Sequence, residues 1–180
     1  KINIKRIVFI TLSLLLALSF WNCEKDDICA DGNANTPRVI IEFYDVANPT
    51  VLKNVTNLRV EESGTDEGVV FNSTLAADNA ARYLSNGNKI EIPLKTFDTT
   101  SGFEFIFNYG DASENTDAIA FNYATSNVYI SRACGYKTIF QLDPTTPIVL
   151  SPDAANWIQN IVVSQPNIEN ENEVHVKIYF

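Results

Sequence analysis

Two kinds of hydrophobic pattern divide the chain. Residues 7–20 form an apolar run interrupted only by Thr11, Ser13 and Ser19, with Lys1, Lys5 and Arg6 ahead of it. From Pro37 onward the pattern becomes alternation with period two, the mark of strands that lay one face on a core. Ile90, Ile92 and Leu94 alternate with Lys89, Glu91, Pro93 and Lys95. Phe103, Phe105, Phe107 and Tyr109 alternate with Glu104, Ile106 and Asn108; Val174, Val176, Ile178 and Phe180 alternate with His175, Lys177 and Tyr179. Shorter runs predict further strands over 39–44, 58–62, 69–73, 119–123, 128–132, 137–142 and 157–163. The supply of Val, Ile, Phe, Tyr and Thr agrees with strands.

Turn signals punctuate these runs at Ser63-Gly64-Thr65-Asp66, Asn86-Gly87-Asn88, Ser101-Gly102, Gly110-Asp111, Asp143-Pro144 and Ser151-Pro152-Asp153. Only 75–84, with Ala76, Ala77, Ala80 and Ala81, has the makings of a short helix, and Pro93 places its strand at a sheet edge. About eight to ten strands without a sustained helical period predict an all-β chain: one antiparallel β-sandwich, immunoglobulin-like or similar, over residues 37–180. No internal repeat or second domain is visible.

The basic head and apolar run of residues 1–22 read as a secretory signal peptide, since the run is too short to span a bilayer comfortably. The alternative is a short buried helix ending in an ordinary cysteine. Cys23 directly after the run resembles the lipobox of bacterial lipoproteins, although Trp21 and Asn22 stand where that motif has small residues. The resemblance implies removal of 1–22 and acylation of Cys23. Glu24, Lys25, Asp26 and Asp27 then resemble the acidic signal that sends Bacteroidota-type lipoproteins to the outer face of the outer membrane; the plain alternative is a solvated tether. Residues 23–36, rich in Asp, Asn, Gly and Ala, suit a flexible acylated tether.

Charge narrows the partners. Without residues 1–22 the chain keeps 10 basic against 22 acidic residues, a net −12, which argues against nucleic acid or an anionic surface as the partner of the chain as a whole. A single His and no Met remove many catalytic schemes. His175 falls on the polar side of the last strand, there is no Gly-x-Ser-x-Gly elbow, and one His with two remaining Cys falls short of a usual zinc ligand set. No cofactor or metal is expected. Asp111, Glu114 and Asp117 read as one acidic loop, and Glu61, Glu62, Asp66 and Glu67 as another. Solvated hairpin loops explain both, with calcium left open because no calcium-loop spacing is present. The Phe103 face and Trp157 read as core or sheet-edge packing rather than a sugar platform.

In an oxidising compartment an even remainder of cysteines pairs, so once Cys23 is acylated a disulfide between Cys29 and Cys134 is expected, the alternative being a buried Cys134 and a free Cys29. Asp98-Thr99-Thr100 resembles the signal for O-glycosylation of exported Bacteroidota proteins, with Thr99 as acceptor; the alternative is a plain turn.

The layout is similar to an uncharacterised family of small Bacteroidota lipoproteins, a domain of unknown function. The resemblance rests on Cys-Glu-Lys-Asp-Asp-Ile-Cys at 23–29, Pro-Arg-Val-Ile-Ile-Glu-Phe-Tyr-Asp at 37–45, Asn-Pro-Thr-Val-Leu-Lys-Asn-Val at 48–55 and Arg-Ala-Cys-Gly-Tyr-Lys-Thr-Ile-Phe at 132–140. It implies location and architecture and supplies no catalytic residues. The expected function is a non-enzymatic, lipid-anchored outer-membrane and cell-surface module that binds or completes an envelope assembly, with an outer-membrane barrel or other envelope protein as partner. A surface glycan-binding or glycan-processing protein is the alternative.

Overall fold

The computed structural model describes residues 4–19, 29 and 36–180. Contacts group the chain into two units, Lys1–Ala34 with Tyr129–Tyr136, and Asn35–Val128 with Lys137–Phe180.

The larger unit carries the sandwich. One sheet holds β1 (Val39–Asp45), β2 (Asn48–Leu52), β5 (Lys89–Ile92), β10 (Asn160–Val163) and β12 (Val176–Tyr179) in the order β10-β12-β1-β2, with β5 also pairing β1. The other holds β3 (Leu58–Glu62), β4 (Leu84–Ser85), β6 (Thr100–Phe107), β7 (Asn115–Ser131), β8 (Gly135–Leu142), β9 (Ile148–Leu150) and β11 (Asn167–Ile168), in the order β11-β8-β7-β6-β3-β4, with β9 also on β7. Alternate residues of both sheets meet in one core: Val39, Ile41, Phe43, Val176 and Ile178 from the first, and Val60, Phe105, Phe121, Phe140 and Leu142 from the second. Phe43, Phe105, Phe121 and Phe140 are among its largest fully buried side chains, each stabilising the fold by about 1.5–3 kcal/mol through apolar burial.

The all-β, sandwich-like fold is the one the alternation predicts, with corrections. Its pairing is antiparallel except for β1 and β12, which run parallel in the register Ile41↔Val176 to Tyr44↔Tyr179. The chain reaches β12 from β11, in the other sheet, so no hairpin fixes its direction against β1. The runs 119–123 and 128–132 belong to a single 17-residue strand, β7, whose residues from Ala124 to Tyr129 are exposed. Residues 69–73 form no strand: Val69 N–H donates to the Val60 carbonyl, but the Phe71 and Asn72 N–H groups both turn to the carbonyl of Arg82 (3.0 Å each). Of 75–84, only Ala80–Tyr83 makes a 3₁₀ turn, capped by the Asn79 side chain on the Ala81 N–H. The last predicted strand but one begins at Asn160, not Trp157, and β2, β4, β9 and β11 were not anticipated.

In the smaller unit, α1 (Ile4–Ser19) is a 16-residue helix whose Ile4, Phe9 and Ile10 are 77%, 75% and 67% exposed. At about 1.5 Å per residue it falls short of a hydrocarbon core about 30 Å thick, and among the described residues no helix is long and apolar enough to cross a membrane. The same unit contains the turn between β7 and β8. Ser131 Oγ accepts the Cys134 N–H at 3.0 Å, and Gly135 takes φ +69°, which a residue with a side chain adopts only under strain.

Candidate functional site

Beside the edge strand β5 the larger unit opens into a groove of about 390 Å³. Val69, Val70, Leu94 and Phe103 supply its apolar lining, and Arg38, Glu62, Glu67, Glu91 and Lys95 its charges. A second groove of about 280 Å³ shares Arg38, Val70 and Glu91 and reaches Lys89 and Phe71. The groove follows from the termini of β1 and β5: Pro93 has no N–H to extend a ladder, and Arg38, one residue ahead of β1, is held across the opening.

Four of the charges there, Arg38, Glu62, Glu91 and Lys95, are engaged in ion pairs. Arg38 meets Glu171 through Nε to Oε1 at 2.8 Å and Nη2 to Oε2 at 2.7 Å, with the Arg38 backbone N–H on Oε1 at 2.9 Å, and its Nη2 also pairs with Glu91. The hydrogen bond to Glu171 raises the Arg38 pKa and the same bond lowers that of the Glu171 carboxyl. Lys95 pairs with Glu62 at 2.6 Å, which raises the Lys95 pKa. The lining of the larger groove includes no hydroxyl, thiol or imidazole among the described residues. It sets paired charges beside an apolar floor of Val69, Val70, Leu94 and Phe103.

His175, expected on the solvent face, is buried, at 1% exposure. Its Nδ1 accepts the Ile40 N–H at 2.9 Å, while the His175 backbone N–H donates to the Ile40 carbonyl at 3.0 Å. The ring thus stands in for a strand carbonyl, and the neutral form carries its proton on Nε2. Burial lowers its pKa, with Glu173 and Glu171 opposing.

Asp117, expected in an acidic loop, lies in β7 and is fully buried. Its Oδ2 accepts the Ile158 N–H at 2.8 Å and its Oδ1 the Trp157 N–H at 3.4 Å. These bonds use the N–H groups of 157 and 158, which is why β10 starts later. Burial pushes the carboxyl up despite the bonds that favour the anion. Trp157 itself donates from Nε1 to the Phe105 carbonyl at 3.0 Å and stacks on Phe107 at 5.0 Å, so it is a packing residue.

The remaining acids of that loop serve its turn: Glu114 accepts the Gly110 N–H at 2.7 Å, and Asp111 accepts both the N–H and the hydroxyl of Ser113 at 2.9 Å, which lowers its pKa. The second cluster is dispersed, with Glu62 on Lys95 and Glu61 on Arg59, whose guanidinium lies 4.9 Å from the Tyr109 ring centroid and 5.4 Å from that of Tyr83. No group of three potential metal ligands occurs among the described residues. Thr99 is exposed in a bend just before β6. That loop is pinned by a buried triad in which Ser101 Oγ lies 2.6 Å from the Tyr123 hydroxyl and both reach the backbone of Lys95.

Cys29 and Cys134 stand at disulfide distance, with sulfurs 2.00 Å and Cα atoms 5.0 Å apart. Cys23 and Glu24, Lys25, Asp26 and Asp27 lie outside the described residues. Arg38 and Arg59 escaped sequence reasoning, because an isolated arginine carries no spacing signal. Asp117 had one: it shares the parity of Ile119, Phe121 and Tyr123 and therefore their inward face.

No curated protein and no solved structure matches the chain. A family model matches residues 57–180, from just ahead of β3 through β12. The chain belongs to that family, described as a family of unknown function, DUF6452.

Proposed function

We propose that the protein is a lipid-anchored lipoprotein of the outer membrane, displayed at the cell surface, whose sandwich binds a partner within an envelope assembly and performs no chemistry of its own. The observation that carries this reading is α1, a helix with exposed apolar side chains ahead of Cys23 and an acidic stretch. Such a helix finds its environment in the export machinery and is then removed. Acylation at Cys23 anchors what remains. The use of His175 and Asp117 as acceptors for backbone N–H groups supports a binding role, since both are committed to holding strands in place.

Metabolic labelling with a palmitate analogue tests the anchor: the wild type takes the label and Cys23→Ala does not. Label retained by the variant sinks the reading. Stoichiometric recovery of a barrel or other envelope protein in a native membrane pull-down supports the assembly role. The groove, with Glu62, Glu67 and Glu91 above an apolar floor, favours one second reading, a surface glycan-binding or glycan-processing protein. Binding on a glycan array without a stable protein partner would select it. O-glycosylation at Thr99 accords with that residue's exposure in a loop and predicts a glycan mass on the peptide around it; an unmodified peptide dismisses it.

A further inference from the structure

We propose that the turn between β7 and β8, with Tyr129 and Tyr136 at its sides, lies in the headgroup region of the membrane and gives the protein a second contact there beyond its acyl chains. The inference rests on the acylated-lipoprotein reading, and three independent observations carry it.

The first is exposure. Tyr129 and Tyr136 are 53% and 68% exposed, and their rings meet edge to face at 5.3 Å. Both lie on strand segments beyond Tyr123, where β7 stops contributing to the core. Paired tyrosines with an apolar body and a polar tip suit the boundary between headgroups and acyl chains.

The second is the covalent path. Cys134, in the turn, is joined to Cys29, six residues after Cys23. Six extended residues span at most about 20 Å and the bridge adds 5.0 Å between Cα atoms, so an acyl anchor at Cys23 keeps Cys134 within about 25 Å of the bilayer surface. Without the bridge the first sandwich residue, Thr36, is 13 residues from the anchor, a reach of about 45 Å.

The third is charge. Residues 118–142 contain no acid, and their only charged side chains are Arg132 and Lys137, in a chain with 22 acidic residues. Within the turn itself no acid opposes anionic headgroups, which the net charge of the chain as a whole would repel; the acids nearest along the covalent path, Glu24, Asp26, Asp27 and Asp31, stand on the tether.

The test uses the acylated full chain, purified from a lipoprotein-processing host and reconstituted in vesicles of phosphatidylcholine with phosphatidylglycerol, carrying a spin label near the headgroup. Tyr136→Trp is the reporter, read against the parent chain, in which Trp157 supplies the background. The reporter is expected to lose roughly half its emission to the spin label, as a residue at headgroup depth does, and to lose much less in a chain that also carries Cys29→Ser and Cys134→Ser. Intact mass reports the acyl chains separately. An acylated, vesicle-bound chain whose reporter is unquenched overturns the turn contact and leaves the lipoprotein reading standing. An unacylated chain overturns both. Undiminished quenching in the double cysteine variant overturns the part assigned to the bridge.

Discussion

Two side chains of the sandwich do work that a backbone carbonyl does elsewhere. The carboxylate of Asp117 receives the Ile158 N–H and, at longer range, that of Trp157; the imidazole of His175 receives that of Ile40. Each is buried, so deleting it leaves a donor without water or partner, at about 1–3 kcal/mol per orphaned group. Asp117→Ala is expected to destabilise the fold by about 3 kcal/mol, whereas Asp117→Asn keeps one acceptor and, being neutral, avoids the burial that pushes the carboxyl up; it should cost clearly less. Urea unfolding at neutral pH measures both, and equal losses would contradict this role. His175 adds a pH dependence of known sign. Its folded pKa lies below the ordinary 6.5, so above 6.5 the ring is neutral in both states and its contribution is complete. As pH falls below that value the unfolded chain takes up the proton first, and stability is lost until the folded value is reached. His175→Asn offers an oxygen to the Ile40 N–H without titrating, and its urea midpoint should lack that component of the acid slope. An unchanged slope would place the titration elsewhere.

At the scale of elements, β7 shows how much of the architecture the pattern of residues revealed. Ile119, Phe121 and Tyr123 alternate inward and were legible. Ala124, Thr125, Ser126 and Asn127 broke the apolar rhythm, so one strand read as two; the ladder with β8 continues regardless, because pairing needs backbone and not apolar faces. β2 was missed because Asn48-Pro49-Thr50 reads as a turn and all five of its residues are exposed. The parallel β1–β12 pair left no local trace, since strand direction is a property of connections rather than of residues. The cysteine pairing, in contrast, followed from parity and compartment, and the structure places the two sulfurs at bonding distance. Its expected consequence is large: closing a loop across a separation of 105 residues stabilises by about 4–5 kcal/mol on the chain-entropy account, an upper figure. A non-reducing digest of the exported protein should yield linked peptides containing Cys29 and Cys134 that separate on reduction. Two alkylatable thiols in the native protein would refute the bond.

On the scale of the whole molecule, the proposed anchor and the acidic sandwich make location the property most open to experiment. On the proposed reading, acylation attaches the chain to a membrane and Glu24, Lys25, Asp26 and Asp27, directly after the anchor in sequence, direct it to one face. Replacing Lys25, Asp26 and Asp27 together by Ala should therefore leave folding, acylation and sedimentation with membranes unchanged while moving the protein to the inner side. The sandwich carries its own reporter: Lys89 is exposed on the edge strand β5, so a membrane-impermeant amine reagent reaches it only when the domain faces the medium. On intact cells the wild type should be modified at Lys89 and the triple-Ala protein should not, and after lysis both should be modified alike. Modification of both proteins on intact cells would show that these residues do not direct export. Modification of neither before lysis would place the sandwich in the periplasm and remove the surface reading.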